Sequence, residues 1–178
     1  MSLFAKLPSL SIFEPMRIKP DAYPMIAKFQ SLEVIRLSLK YPEPTLDELM
    51  GLCSALESCK KLAFVEIADC RNPALMDPFL NALVKSVRSL KCLRLDTVAM
   101  STLRDGTASV DFLTACAHLE TFYVHACIPF MSAQTVMQLV LHRRLPTLQT
   151  LRLRACCILD EGQQHSLCSQ LKLFHYDS

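Results

Sequence analysis

Leu148-Gln149-Thr150-Leu151-Arg152-Leu153-Arg154-Ala155-Cys156 sets apolar residues at positions one, four and six, with a cysteine three residues later. Over its second half apolar and polar residues alternate with period two, the pattern of a short strand with one buried face. The same spacing recurs at Leu32-x-x-Ile35-x-Leu37, Leu62-x-x-Val65-x-Ile67, Leu90-x-x-Leu93-x-Leu95, Leu119-x-x-Phe122-x-Val124 and Leu171-x-x-Phe174-x-Tyr176. Successive first positions are 30, 28, 29, 29 and 23 residues apart. A fainter copy, Leu10-x-x-Phe13, has Pro15 at its third apolar position.

Between these motifs the apolar period lengthens to that of a helix. Leu46, Leu49, Leu52 (or Cys53) and Leu56 share one helical face. So do Phe79 (or Leu80), Leu83 and Val87; Phe112 (or Leu113) and Cys116; and Val136, Leu139 (or Val140) and Leu145. Asp77 before Pro78, Ser109 and Ser132 are expected helix starts, because a short polar side chain accepts from the free amides of a first turn. The repeating unit is therefore strand, turn, helix. A doubly wound sheet shares that alternation. However, only Gly51, Gly106 and Gly162 are available to it, so no phosphate-cradling glycine loop exists.

The turn leaving each strand supplies a further column. Cys70, Cys127 and Cys156 each lie three residues beyond the last strand apolar residue, and Val98 takes the same place. A thiol fits a tight buried turn at little desolvation cost, so these cysteines are expected to be buried and reduced. Cys157 has no place in this scheme. Nine cysteines cannot all pair, and no Cys-x-x-Cys, Cys-x-x-His or His-x-x-x-His spacing points to zinc. Bridging Cys127 to Cys156 would require both to turn out of the core.

This Leu-x-x-Leu-x-Leu-x-x-Cys pattern resembles the leucine-rich repeats of the ribonuclease-inhibitor-like subclass, which occur in immune-sensor proteins and F-box ubiquitin-ligase receptors. The resemblance covers about residues 22–178, with 1–21 as a cap or partial first repeat. It implies an α/β fold, a curved leucine-rich-repeat solenoid wound as a right-handed β-α superhelix. Parallel strands would line its concave face and helices its convex face. It specifies the fold and leaves the partner open. No F-box-like segment precedes the first repeat, and the acidic tail of Ran-GTPase-activating solenoids is absent. A protein-binding scaffold or adaptor is thus expected, in isolation or as a subunit of a larger assembly. The alternative is a regulatory domain controlling a ubiquitin ligase or a GTPase.

With 19 Lys and Arg against 17 Asp and Glu, the net charge of +2 provides no field of the strength nucleic-acid binding rests on. No stretch approaches 18 uninterrupted apolar residues, so no transmembrane segment is expected. Met1 to Pro20 lacks the apolar core of a secretory signal, and its short basic segment with Lys6 and Arg17 is a poor mitochondrial presequence. An intracellular location follows, cytoplasmic rather than mitochondrial or nuclear. No catalytic residue, cofactor site or metal site is expected. Of the five histidines, His125 and His175 alone fall on strands, about 10 Å apart. A nucleophile pair would have to be built from Cys92 or Cys127 with His125.

If the motif's apolar residues point inward, their alternates form three columns on the opposite face. The central column reads Arg36, Glu66, Arg94, Tyr123, Arg152, His175. On one side of it lie Ser38, Ala68, Asp96, His125, Arg154, Asp177, and on the other Val34, Phe64, Cys92, Thr121, Thr150, Leu173. Arg36, Glu66 and Arg94 alternate in sign and suit mutual pairing. Tyr123, His125, Arg152 and Arg154 form an aromatic and cationic group with no acidic residue directly among them, and Tyr and Arg are enriched at binding hot spots. The expected partner surface comprises these four with Phe64, Arg94, Asp96 and His175, while helix charges such as Glu48 and Lys85 are expected to be neutral to binding and stability. The last strand lacks a helix after it, so a further segment, a partner or a modified closing repeat should cover it.

Overall fold

A computed structural model describes residues 12–13, 20–40, 44–70, 72–98, 118–126, 137, 140, 146–155 and 157–177. Its centre is one seven-stranded, wholly parallel sheet: β1 (Ile12–Phe13), β2 (Val34–Ser38), β3 (Phe64–Ala68), β4 (Cys92–Asp96), β5 (Thr121–His125), β6 (Thr150–Arg154) and β7 (Leu173–Asp177). The strands stand side by side in chain order. A doubly wound sheet reverses its order at a switch point, and this sheet does not. The faint copy at Leu10-x-x-Phe13 belongs to the series, since Phe13 aligns with Ile35.

Among the described residues, helices alternate with the strands: the single turn α1 (Tyr23–Ile26), α2 (Leu46–Glu57), α3 (Pro73–Ser86) and α4 (Glu161–Gln170). Leu49, Leu52 and Leu56 of α2, and Phe79, Leu80 and Leu83 of α3, are buried against strand residues Ile35, Leu37, Val65, Ile67, Leu93 and Leu95. Leu46, expected on the same apolar face, is 37% exposed at the first turn of α2. The leading leucines of the motif show how far the core extends: Leu32, Leu62 and Leu90 are fully covered, while Leu148 is 8% and Leu171 9% exposed. In β7 Phe174 and Tyr176 are only half-buried and their rings stack 6.4 Å apart, so the core thins toward that edge.

Two helix boundaries depart from expectation. Asp77 does not start α3; the helix begins at Pro73, and Asn72 Oδ1 accepts from the Ala74 amide at 3.1 Å. Proline at a first helical position forfeits no bond, and this start adds buried Met76 to the apolar face. Pro78 is consequently inside the helix, where it lacks the amide of a regular turn. The second departure is α4, whose ten residues scatter their few apolar side chains and bury only Leu167. It is set by its start, since Asp160 and Gln163 close a reciprocal capping box. The expected starts Ser109 and Ser132, and the apolar faces around residues 112–116 and 136–145 apart from buried Val140, lie outside the described residues.

The turns after β3, β4, β5 and β6 are built the same way. Asp69, Thr97, Ala126 and Ala155 have φ of 60°, 53°, 46° and 45°. Each donates its amide to the last residue of the next strand, at Asp96, His125, Arg154 and Asp177 respectively, at 2.7–3.0 Å. This added ladder bond holds non-glycine residues in the left-handed region, at about 1–2 kcal/mol each. It also delivers Cys70 and Val98, the residues that follow Asp69 and Thr97, into the core. Cys70 is buried as expected, at 1% exposed; Cys127 and Cys156 lie outside the described residues. Cys157, unplaced by the sequence, is 3% exposed, and its carbonyl accepts from Tyr176 Oη.

On the edge where strands begin, Ser89 Oγ donates to Leu62 O and Thr147 Oγ1 to Leu119 O, both at 2.7 Å. Each hydroxyl precedes the leading leucine of its motif and ties it to the one before. No helix among the described residues is long and apolar enough to cross a membrane.

Candidate functional site

The observed register reproduces the three expected columns. Arg36 lies beside Glu66, Glu66 beside Arg94, Arg94 beside Tyr123, Tyr123 beside Arg152 and Arg152 beside His175. Asp96, His125, Arg154 and Asp177 are likewise adjacent in turn, as are Phe64 and Cys92. The inward neighbours of the later strands, Phe122, Val124, Leu151 and Leu153, are at most 1% exposed. The outward side chains therefore rise from fixed backbone.

Side-chain contacts divide this face sharply. Glu66 is gripped from both sides, by Arg36 Nε at 3.2 Å and Arg94 Nε at 3.3 Å. The Arg94 Nε–H is not aligned for a hydrogen bond, so that contact is Coulombic. Arg94 also reaches Asp96 Oδ2 at 3.5 Å, and its guanidinium lies 4.4 Å from the Tyr123 ring centre. Arg36 lies over Phe64 at 5.4 Å. The earlier half of the face is thus a connected, self-neutralising network.

The later group is less purely cationic than its sequence implied. His125 Nδ1 is 3.1 Å from Asp96 Oδ1, and Arg154 Nε is 3.2 Å from Asp177 Oδ2. Both carboxylates come from neighbouring strands at the same register level, in the column where the sequence already set Asp96 and Asp177 beside His125 and Arg154. Arg152 is different. It is exposed, and among the described residues it has no hydrogen-bond or ion-pair partner. It stands between Tyr123 and His175, with a strand spacing of about 4.8 Å on either side.

Cys92, on the Phe64 column, has its thiol pushed up to about 11, chiefly by burial, with Arg94 lowering and Glu66 raising it. A thiol so shifted is protonated at neutral pH and is a poor nucleophile. The register sets it beside Thr121, four residues from His125 along β5 and so about 13 Å away. Among the described residues no three His, Cys, Asp or Glu side chains converge as metal ligands. The sequence matches no protein-family model and no curated protein.

Proposed function

We propose that the chain is a leucine-rich-repeat solenoid of the ribonuclease-inhibitor-like kind, acting as a non-catalytic scaffold or adaptor that binds a protein through its exposed sheet face. The in-order parallel sheet, the near-constant period and the recurring left-handed turn support the fold. One observation carries the binding role. On a face whose other arginines are each matched by a carboxylate among the described residues, Arg152 stands unmatched between Tyr123 and His175.

An arginine left open between an aromatic ring and an imidazole suits a carboxylate or a backbone carbonyl on a partner. Its five donors form a rigid fork, and the strand beneath it is already ordered, so binding costs little further entropy. The test is affinity capture with the wild-type chain and Arg152→Ala, followed by mass spectrometry and measurement of Kd for the captured protein. A discrete partner bound about 1–3 kcal/mol more weakly by the variant is expected. Unchanged affinity would place the interface elsewhere. Capture of ligase subunits or a GTPase would turn the reading from scaffold to regulatory domain.

A further inference from the structure

Two cavities lie side by side on the edge where helices return to strands. One, about 530 Å³, opens between the carboxyl ends of α2 and α3 and is lined by Glu57, Lys60, Lys85, Ser86, Arg88 and Ser89, among others. The second, about 520 Å³, shares Glu57 and Lys60 and adds Gln30, Ser58 and Lys61.

Lys60, Lys61, Lys85 and Arg88 are all exposed. None has a carboxylate within ion-pair distance among the described residues, although Lys60 Nζ donates to the Glu57 carbonyl at 3.0 Å. Cations at a helix end answer its dipole, but each dipole amounts to only about half a charge. Two helix ends and Glu57 together offset about two of the four positive charges. The surplus is local, because the opposite edge carries Asp47, Glu48 and Asp69 against Lys40. The molecule is polarised across these repeats.

We infer that this edge is a second docking surface, taking an extended acidic segment of a partner protein whose carboxylates enter the two cavities. Ser58 and Ser86 add hydroxyls beside the cations, a mixture suited to carboxylate oxygens, while Ser89 Oγ is already given to the Leu62 carbonyl. No aromatic ring lines either cavity, so the base-stacking platform on which single-stranded nucleic acid relies is missing. The surface is independent of Arg152.

Fluorescence anisotropy of a labelled hexaglutamate peptide titrated with the full chain tests the assignment. Saturable binding that weakens with added salt is expected, because the contacts are exposed and screened. Lys60→Glu with Arg88→Glu should weaken it about tenfold or more. Lys40→Glu, on the opposite edge, should leave it unchanged. A Lys60→Gln, Arg88→Gln pair, with thermal melting of every variant, separates charge from misfolding and should give an intermediate loss. The inference is overturned if the peptide does not saturate, if both paired variants bind as the wild type does, or if an oligothymidylate of equal length binds more tightly. It is also overturned if sedimentation shows self-association that the paired variants abolish while peptide binding persists, because the edge would then serve a second copy.

Discussion

The guanidinium of Arg94 lies 4.4 Å from the centre of the Tyr123 ring, one strand away. The aromatic residue expected to meet a partner is thus already in use within the chain, and substitutions there act on two quantities. Tyr123→Phe keeps the ring beneath the cation, so its unfolding free energy should remain within about 0.5 kcal/mol of wild type. Tyr123→Ala loses the cation–π contact and should cost about 0.5–1 kcal/mol of stability. If Tyr123 is part of the interface, the alanine variant also loses about 1–3 kcal/mol of partner affinity. Urea unfolding and partner titration on both variants separate the effects. Equal stability of the two would show that the stack contributes nothing.

Glu48 is not the neutral helix charge its sequence position implied. Its carboxylate accepts from the Thr45 amide at 2.7 Å, while Thr45 Oγ1 accepts from the Glu48 amide at 3.3 Å. This reciprocal box closes the start of α2, so Thr45→Ala and Glu48→Ala should each lower the unfolding free energy by about 1 kcal/mol. Lys85→Ala should change it by less than about 0.5 kcal/mol. Denaturant midpoints at constant slope are the measurement, and a neutral Thr45→Ala would remove the box from the account of helix stability.

The strands were legible because burial of one sheet face imposes period two, and a register slip would turn every apolar residue outward. That constraint marks Ile35, Val65, Leu93, Phe122 and Leu151 as core and Arg36, Glu66, Arg94, Tyr123 and Arg152 as a column. The alternating signs in that column anticipated the pairing of Glu66 with Arg36 and Arg94, but not the partners of Asp96. Asp96 serves both Arg94, two residues away on its own strand, and His125 on the next, a choice made by side-chain reach. The helix α4 was hidden because its stability rests on a cap and on one buried leucine rather than on an apolar stripe. The left-handed turns were hidden because Ala126 and Ala155 are residue types that avoid that conformation when free; the ladder bond to the next strand imposes it.

Those turns give a prediction of opposite sign to most substitutions. Ala155 has φ of 45°, and its amide donates to Asp177 O at 2.7 Å. Glycine adopts that conformation without a Cβ clash, which offsets about 1–2 kcal/mol of strain against about 0.5–1 kcal/mol of added chain entropy. Ala155→Gly should therefore raise the unfolding free energy by about 0.5–1 kcal/mol. Ala155→Val should lower it, since a branched Cβ is least tolerated there. A stabilising valine in thermal melts would contradict the left-handed assignment.

Burial raises four acids that have no anionic role: Cys53 from 9.0 to about 12, Tyr23 from 10.0 to about 12, Cys92 from 9.0 to about 11, and Cys59 above 9.0. Burial is the leading cause in each, with Glu48 and Cys70 adding to it for Tyr23. Each group is neutral when protonated, so the folded state binds its proton more tightly than the unfolded chain does. The stability they contribute is complete below the unfolded values near 9 and 10, and is lost as pH climbs toward the folded values. Unfolding free energy should be flat in their respect up to about pH 8.5 and then fall, by up to about 1.4 kcal/mol per pH unit for each ionising group. Replacing Cys53 with Ala removes one group and should flatten the alkaline limb, even though the cavity lowers stability throughout. The thiol of Cys53, 3% exposed and 3.7 Å from the Phe79 carbonyl, should likewise resist alkylation in the folded chain while the exposed Cys168 reacts. Alkylation of Cys53 as fast as Cys168 at neutral pH, or a stability curve without an alkaline decline, would show that these thiols are not held in the core.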